Sequence, residues 1–313
     1  MTNLPIVNVI NIGTRGSPLA LWQANWIKSQ LESLHKDLTV NLVKIKTSGD
    51  KIQDVPLAKI GGKGLFTKEI EESMLRYETD IAVHSMKDVP VQFPPPLTLS
   101  VITEREDPRD VLVSRRDLKL DQLPKGAKVG TGSFRRTTQL LAYRPDIEVV
   151  PMRGNLETRL RKLESENLDA IILAAAGLIR LEMADRITEF IDPEIMLPGG
   201  GQGAVGIESR KQDMGVMSRI YPLDHEETHT ALEAERGFLT RLEGGCQVPI
   251  GVYATVEGDR VHLRGLVGSL DGKQILKAER TGFTEDPEGL GVELAGEILE
   301  MGADKILKEV YGT

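Results

Sequence analysis

The sequence predicts two α/β domains with mostly parallel sheets, followed by a small α+β domain. Its 313 residues are about twice the ~150 residues of a common domain, so several domains are expected. The order strand–helix–strand–helix–strand occurs twice along the chain, which is typical of α/β domains. After residue 248 the pattern changes to alternating strands closed by one helix.

The first domain is expected to begin with a strand over Ile6–Thr14, rich in Ile and Val. Ser17 and Pro18 mark the start of the next helix, because Ser accepts hydrogen bonds from free helix amides and Pro suits the first helical position. Trp22 and Trp26 share one face of that helix and are interpreted as core packing. The remaining predicted elements are the helix 19–34, the strand 39–46, a polar loop over 48–62, the helix 65–77, and the strands 80–85 and 97–102.

The second domain repeats this plan after a charged connector over 104–110. Ser133 follows a strand that ends in Val-Gly-Thr, as Ser17 follows Ile12-Gly13-Thr14. The strand over 204–209 is expected to return to the first domain. The elements predicted for the second and third domains are strands 128–131, 148–152 and 169–175, helices 134–143 and 155–165, a helix over 225–242 with an Asp224–Glu227 capping signature, strands 248–256, 261–267 and 274–280, and a helix over 289–307.

Composition excludes several function classes. The formal charge of -8 and the pI near 5.4 oppose the sign needed to follow a phosphate backbone, so nucleic acid is not expected as a partner. A single cysteine excludes an intrachain disulfide framework and any metal site with two thiolates, and it fits a reducing compartment. Neither a leader peptide nor a membrane span is predicted, so we expect a cytoplasmic protein, by default a monomer.

Three short motifs are rejected. Residues 201–206 match G-x-G-x-x-G, but a strand follows them where a dinucleotide site needs a helix, so they are interpreted as a hinge. Residues 61–64 lack the first glycine and the Ser or Thr of a phosphate loop. His225 and His229 form H-E-x-x-H in the first turn of a helix, where a solvated helix start is the better interpretation. No metal site is predicted.

Five arginines lie where predicted strands turn into helices. Helix N-termini favour anions, and guanidinium groups add bidentate binding of carboxylate or phosphate. The pattern favours a cleft for a polyanionic ligand over scattered surface charge, with Lys59, Lys63 and Lys87 as further candidates. The five are Arg15, Arg135, Arg136, Arg153 and Arg159.

Two further residues have alternative interpretations. Asp88 follows a buried strand, at the end of a sheet where α/β domains bind ligands, and is either an acid–base group or a turn-forming carboxylate. Cys246 follows two glycines that allow a bulky group to approach the backbone. It is either a nucleophile or attachment site, or a buried inert thiol.

Several longer motifs together resemble the porphobilinogen deaminase (hydroxymethylbilane synthase) family over nearly the whole chain. The segment that includes Gly132 and Phe134 departs from the family, which commonly has Ser and Leu there. The motifs are Thr14-Arg15-Gly16-Ser17-Pro18-Leu19-Ala20, Gly61-Gly62-Lys63-Gly64-Leu65-Phe66, His84-Ser85-Met86-Lys87-Asp88-Val89-Pro90, Arg153-Gly154-Asn155 and Glu243-Gly244-Gly245-Cys246.

The resemblance implies two domains of the type II periplasmic-binding-protein fold around a cleft, plus a small α+β C-terminal domain. We expect domain 1 to span 1–103 and 204–221, domain 2 to span 108–198, and domain 3 to span 224–313. It also implies a transferase that condenses porphobilinogen head to tail with loss of ammonia and releases hydroxymethylbilane by hydrolysis. Growth begins on a dipyrromethane cofactor held to cysteine by a thioether.

The resemblance also assigns roles to individual residues. Cys246 becomes the cofactor anchor and Asp88 the catalytic carboxylate. The predicted cofactor-binding residues are Lys87, Asp88, Ser133, Arg135, Arg136 and Cys246, and the predicted substrate-binding residues are Arg15, Ser17, Lys59, Arg153 and Arg159. The alternative is a non-catalytic anion-binding or regulatory module on the same fold, which would not account for Cys246 after two glycines or for the third domain.

Overall fold

The computed structural model describes residues 7–51, 65–244 and 248–311. Contacts divide these residues into two compact units. The first holds 7–51, 65–105 and 204–229, and the second holds 106–203 and most of 230–311. The second unit contains two sheets, so the structure has three sheets in all within its described part. The division into three domains at the predicted boundaries stays a prediction.

The sheet of the first unit has the strand order β2-β1-β3-β10-β4. Strands β1, β2 and β3 are parallel, and β10 is antiparallel to both of its neighbours. The sequence prediction that the segment after 203 returns to this sheet is therefore confirmed. The elements are β1 (Val9–Thr14), α1 (Pro18–Leu34), β2 (Thr39–Lys44), α2 (Ser48–Lys51), α3 (Lys68–Leu75), β3 (Ile81–Ser85), β4 (Leu97–Ile102), β10 (Val205–Arg210) and α7 (Met214–Ile220).

Helix α1 begins where the sequence predicts. The Ser17 hydroxyl accepts a hydrogen bond from the Ala20 N–H at 3.4 Å, and Pro18 occupies the first turn. Ile27 and Leu31 are fully buried against the sheet. Trp22 and Trp26 stack with their centroids 6.2 Å apart, but both are only half-buried. The pair lies at the edge of the core rather than inside it.

The first sheet of the second unit has the order β7-β6-β8-β5-β9. Strand β5 is antiparallel to both of its neighbours, β8 and β9, and the pairs of β6 with β7 and β8 are parallel. The predicted connector ends at Asp110, where β5 begins, so the sequence analysis missed this short strand. The elements are β5 (Asp110–Ser114), β6 (Lys128–Thr131), α4 (Phe134–Tyr143), β7 (Glu148–Pro151), α5 (Leu156–Ser165), β8 (Ala170–Ala174), α6 (Ala175–Arg180) and β9 (Glu189–Phe190).

The third sheet is an antiparallel meander, β11-β12-β13. The predicted helix over 289–307 is in fact two helices, because Gly302 has φ 101° within the turn that joins them. Phe238 of helix α8 is fully buried in this domain's core. The elements are α8 (Glu226–Arg241), β11 (Ile250–Glu257), β12 (Arg260–Gly268), β13 (Ile275–Phe283), α9 (Pro287–Ile298) and α10 (Asp304–Tyr311).

The fold class is the predicted one: two α/β domains and a small α+β domain. Each α/β sheet has the same order of strands and the same position for its reversed strand. Within the described ranges, every helix is too short or too polar to be a bilayer span.

Candidate functional site

Asp88 lies in a small cavity of the first unit, of about 60 Å³. Strand β3 ends at Ser85, and one 3₁₀ turn over Met86–Asp88 places the Asp88 carboxylate in the wall. This is the carboxyl end of a strand that is parallel to β1, where α/β sheets bind ligands. The polar side chains that line the cavity with Asp88 are Arg15, Ser17, Gln23, Thr67, His84 and Ser85.

Arg15 enters the cavity from the turn between β1 and α1. Its Nη2 lies 2.5 Å from Asp50 Oδ1, and its guanidinium stacks 4.1 Å from the centre of the Phe66 ring. Burial acts to raise the pKa of the Asp50 carboxyl. The hydrogen bonds from Arg15 and Thr47, together with the charge of Arg15, outweigh burial and hold that pKa below its usual value. Arg15 is therefore oriented by an anion that the chain supplies. The sequence analysis did not identify Asp50.

Ser17 has a structural role that its prediction as a substrate-binding residue did not include. It caps helix α1 and also lines the cavity. At the end of β3, Ser85 Oγ accepts a hydrogen bond of 2.9 Å from the Gln23 Nε2–H of helix α1. Gln23 is buried, so this bond connects α1 to the end of β3. The cavity wall is thus held together by side-chain hydrogen bonds as well as by the sheet.

Arg135 and Arg136 lie in the second unit and are almost completely buried, at 5% and 4% exposure. Both bind the fully buried Asp110: Arg135 Nη1 lies 2.6 Å from Oδ2, and Arg136 Nη2 lies 2.8 Å from Oδ1. Gln202 Nε2–H also donates to Asp110, at 2.9 Å. Burial opposes ionisation, but the two guanidinium groups hold the pKa of Asp110 far below its usual value.

This network changes the expected picture of the arginine pair. The sequence predicts both side chains as cofactor-binding residues at a helix start. In the structure they bind Asp110 and the carbonyls of Leu197 and Ile172. Sequence reasoning missed Asp110 and assigned Gln202 only to a hinge. A carboxylate that opens the apolar run Val111-Leu112-Val113 was the available signal, because a buried charge requires a partner.

Arg153 presents a different environment. It is half-buried, and its Nη1 is buried without a hydrogen-bond partner among the described residues. Arg159, one turn into helix α5, donates from Nε to the Gly154 carbonyl at 2.9 Å. A buried donor without a partner is costly, so Arg153 Nη1 is the guanidinium nitrogen in this unit that most favours binding an external anion.

Other predicted residues have mixed outcomes. Ser133 precedes helix α4 but makes no side-chain capping bond. Lys87 is half-buried beside Asp88. A Cβ at Gly132 would lie 2.3 Å from the Met152 carbonyl oxygen, so a serine cannot fit there without backbone movement. Lys59, Lys63 and Cys246 lie outside the described residues.

Both histidines of the H-E-x-x-H segment bind side chains of their own helix start. His229 Nδ1 lies 2.8 Å from Asp224 Oδ1, and His225 Nδ1 contacts the Thr228 hydroxyl at 2.9 Å. Asp224 also accepts from the Ile102 N–H. The described part of the chain contains no group of three or more potential metal ligands.

The described site residues thus divide between the two units: the Asp88 cavity lies in the first, and the second holds Ser133, Arg135, Arg136, Arg153 and Arg159. Together with the fold, they define a multidomain α/β protein with cationic side chains suited to a ligand rich in carboxylates.

Comparisons with known proteins specify the family. Residues 10–218 match the family described as porphobilinogen deaminase, dipyromethane cofactor binding domain, and residues 229–300 match porphobilinogen deaminase, C-terminal domain. The chain belongs to the porphobilinogen deaminase family, whose enzyme is a hydroxymethylbilane synthase.

Individual relatives agree over almost the full length. Porphobilinogen deaminase of Geotalea uraniireducens (strain Rf4) is 56% identical over 305 residues, covering 97% of this chain and 96% of the relative. That of Pelobacter propionicus is 55% identical over 302 residues, covering 96% and 97%. Among solved structures, the periplasmic aliphatic sulphonate binding protein SsuA from Escherichia coli has a TM-score of 0.40 at 15% identity, covering 75% of this chain and 70% of that chain. That similarity is too weak to support a conclusion about this chain.

Proposed function

We propose that this chain carries out the family's reaction with Asp88 as its catalytic carboxylate. The reaction joins porphobilinogen units head to tail, releases ammonia at each condensation, and ends in hydrolysis to hydroxymethylbilane. The observation that carries the assignment to these residues is the cavity in which Asp88 lies with Arg15 and Ser17 at the end of β3. An anion-binding group and a carboxylate in one recess suit a substrate with both carboxylates and a cationic amine.

Asp88 acts on the charge that develops when ammonia leaves. Breaking the C–N bond of the aminomethyl group leaves a cationic azafulvene. A carboxylate in a partly desolvated cavity stabilises that cation more strongly than water does. Asp88 is half-buried, which supports this role.

The arginines bind the acetate and propionate groups of the pyrroles. Arg15 is already oriented by Asp50, so a substrate carboxylate meets a guanidinium that is ordered in advance. Arg153 supports the same role in the second unit because its Nη1 has no partner in the described residues. Arg159 is adjacent on the same helix start. Ser17 and Lys59 are assigned to the same substrate.

The dipyrromethane cofactor of the family fits the donors of this chain. The observation that favours a carboxylate-bearing group is the buried Nη1 of Arg153, which has no hydrogen-bond partner in the part of the chain that the structure describes. Cys246 would hold the cofactor through its thioether, and Lys87, Asp88, Ser133, Arg135 and Arg136 would bind it. When bound, it supplies the pyrrole carbon on which the chain grows. Asp110 keeps the Arg135 and Arg136 side chains ordered.

We further assign the enzyme to the cytoplasm as a monomer that does not bind nucleic acid. Formation of a thioether requires the Cys246 thiol in its reduced form, which a reducing compartment maintains. The net charge of -8 supports the absence of a nucleic-acid partner.

The first test is the intact mass of the denatured chain, beside that of Cys246→Ser. A dipyrromethane adduct on the wild-type chain that is absent from the variant supports both cofactor and anchor. Incubation of unmodified chain with porphobilinogen should build the adduct and release ammonia. Saturable binding with neither adduct nor ammonia would instead identify a non-catalytic binding module.

A second prediction concerns the guanidinium fork. Arg153→Lys and Arg159→Lys each keep the charge but lose bidentate binding, so we expect elongation to stall at shorter chains. The measurement is the mass distribution of enzyme-bound intermediates after a limited supply of substrate. Arg161→Lys, on an exposed part of the same helix, is the matched control. Wild-type turnover in both variants would contradict the role of these two arginines.

A further inference from the structure

Behind the Asp88 cavity lies a buried group of titratable side chains that the proposed mechanism does not use. His84 of β3 and Glu208 of β10 are 6% and 0% exposed. His84 Nε2 lies 3.2 Å from Glu208 Oε2. Glu208 pairs with Ala82 and His84 pairs with Gly206, so the two side chains are diagonal neighbours on one face of the sheet.

The same face packs against helix α3. Ile70 and Met74 of that helix contact Ala82, which is two residues before His84 on β3. Glu71, on the same helix, is buried and has one carboxylate oxygen without a partner in the described residues. Burial raises the pKa of the Glu71 carboxyl, and the charge of Glu208 raises it further. Glu71 is therefore held toward its neutral form.

His84 also lines the cavity that contains Asp88. With Nε2 bound to Glu208, the remaining ring nitrogen is Nδ1, and no hydrogen bond to Nδ1 is found within the described part of the chain. A carboxylate that accepts from one ring nitrogen fixes the tautomer and leaves the other nitrogen as a proton acceptor. The other titratable or charged groups around His84 are Glu71 on α3, Glu208 on β10, and Asp88 and Arg15 at the cavity.

The reaction releases one proton that Asp88 need not take. When the new C–C bond forms, the α-carbon of the receiving pyrrole carries an extra proton, and its C–H bond must break to restore the aromatic ring. We propose that His84, oriented by Glu208, accepts this proton, while Asp88 stabilises the cation. This inference rests on the proposed function. It assigns stabilisation of the cation to Asp88 and acceptance of the proton to His84.

The step balances without any further reagent. The electron pair of the C–H bond returns to the pyrrole ring, and the proton moves to His84 Nδ1. The imidazolium is stabilised by the Glu208 carboxylate through Nε2–H, and it later passes the proton to water. Separating the tasks resolves a conflict, because a carboxylate that must remain an anion beside a cation is poorly suited to hold a proton.

The test compares His84→Asn and Glu208→Gln with Glu72→Gln, which makes the same chemical change at an exposed position on α3. We expect His84→Asn to lower kcat about a hundredfold, as is typical for loss of a general base, with KM little changed. Glu208→Gln should lower kcat about tenfold or more, and Glu72→Gln should leave kcat unchanged. Urea unfolding of each variant checks that the fold is intact.

Two readouts separate a proton acceptor from a structural histidine. Added imidazoles should restore activity to His84→Ala, and the rescued rate should rise with the basicity of the added base. In the Cys246→Ser chain, ¹⁵N NMR of His84 should show the tautomer with the proton on Nε2.

The failures are distinguishable. A wild-type chain that releases no ammonia from porphobilinogen would overturn the proposed function and this inference with it. A wild-type chain that turns over, with kcat of His84→Asn within twofold of it, would overturn this inference alone. Protonation on Nδ1 in the NMR spectrum would also overturn it.

Discussion

At the scale of the residue, two buried carboxylates differ because their partners differ. Asp110 binds two guanidinium groups, and its pKa is far below the usual value. Glu71 forms no ion pair among the described residues, and burial raises the pKa of its carboxyl. The desolvation cost is common to both, so the nearby charge decides which form the fold stabilises.

Asp110→Asn should destabilise the protein by about 3–5 kcal/mol, because it leaves two buried guanidinium groups without their counterion. Asp107→Asn, which removes a more exposed partner of Arg109, should cost under about 1 kcal/mol. Urea unfolding at pH 7 measures both. Since the folded pKa of Asp110 is depressed, its contribution is complete above about pH 4, the unfolded pKa. The difference in free energy of unfolding between wild type and Asp110→Asn should become smaller as the pH falls below that value. A difference that does not depend on pH would contradict the ion pair.

Glu71→Gln has the opposite pH dependence. The folded pKa of Glu71 is raised, so its protonated form favours folding below the unfolded pKa of about 4.3, and that contribution is lost as the pH rises through the folded pKa. We expect Glu71→Gln and wild type to be equally stable near pH 4 and the variant to be the more stable at pH 7. Denaturation at both pH values checks this, with Glu72→Gln as control. A wild type that is more stable at pH 7 would show that Glu71 is a paired anion.

At the scale of the element, helix starts explain which local predictions were confirmed. Ser17 caps α1 with its side chain, as the sequence predicts, and Asn155, which the sequence predicts as part of the helix, caps α5 in the same way. Ser133 has an extended backbone before α4, yet its hydroxyl makes no capping bond. A serine directly before a helix therefore contributes a capping hydrogen bond in α1 but not in α4.

Asn155→Ala should cost about 1 kcal/mol, because it removes the acceptor of the Thr158 N–H at 2.8 Å. Ser133→Ala should change stability by only a few tenths of a kcal/mol, since no capping bond is lost. Thermal or urea unfolding of the two variants gives the comparison directly. Equal losses would mean that Ser133 caps α4 in solution.

The break between α9 and α10 gives a matched pair of glycines. Gly302 has φ 101°, while Gly296 lies within α9. At either position an added Cβ would meet no atom of the described residues within 4 Å. Gly302→Ala should therefore destabilise by about 1 kcal/mol through backbone strain alone. Gly296→Ala should stabilise by about 0.5–1 kcal/mol. Effects of the same sign would show that φ at Gly302 is not the cause of the break.

At the scale of the whole molecule, the two α/β sheets share one plan. Each has one reversed strand at the fourth position, β10 in the first unit and β5 in the second. β10 follows the second α/β domain in the chain, so the first unit is complete only after that domain has been synthesised. This connectivity favours folding of the first unit late in synthesis.

The monomeric state is a prediction at this scale. Light scattering during size-exclusion chromatography should give a mass near 34.5 kDa. The mass should not change with protein concentration or with addition of porphobilinogen. A value twice as large would contradict the assignment.

The sequence by itself determined the class of the fold and the position of Asp88 at a strand end. Local periodicity, caps and Gly or Pro positions carry that information, because they depend on neighbours within a few residues. The tertiary structure decided that Arg135 and Arg136 bind Asp110 and that His84 meets Glu208, 124 positions away. Those pairs depend on which strands become neighbours in a sheet. Burial then strengthens the effect of each partner on the pKa, because charges interact more strongly in a desolvated site.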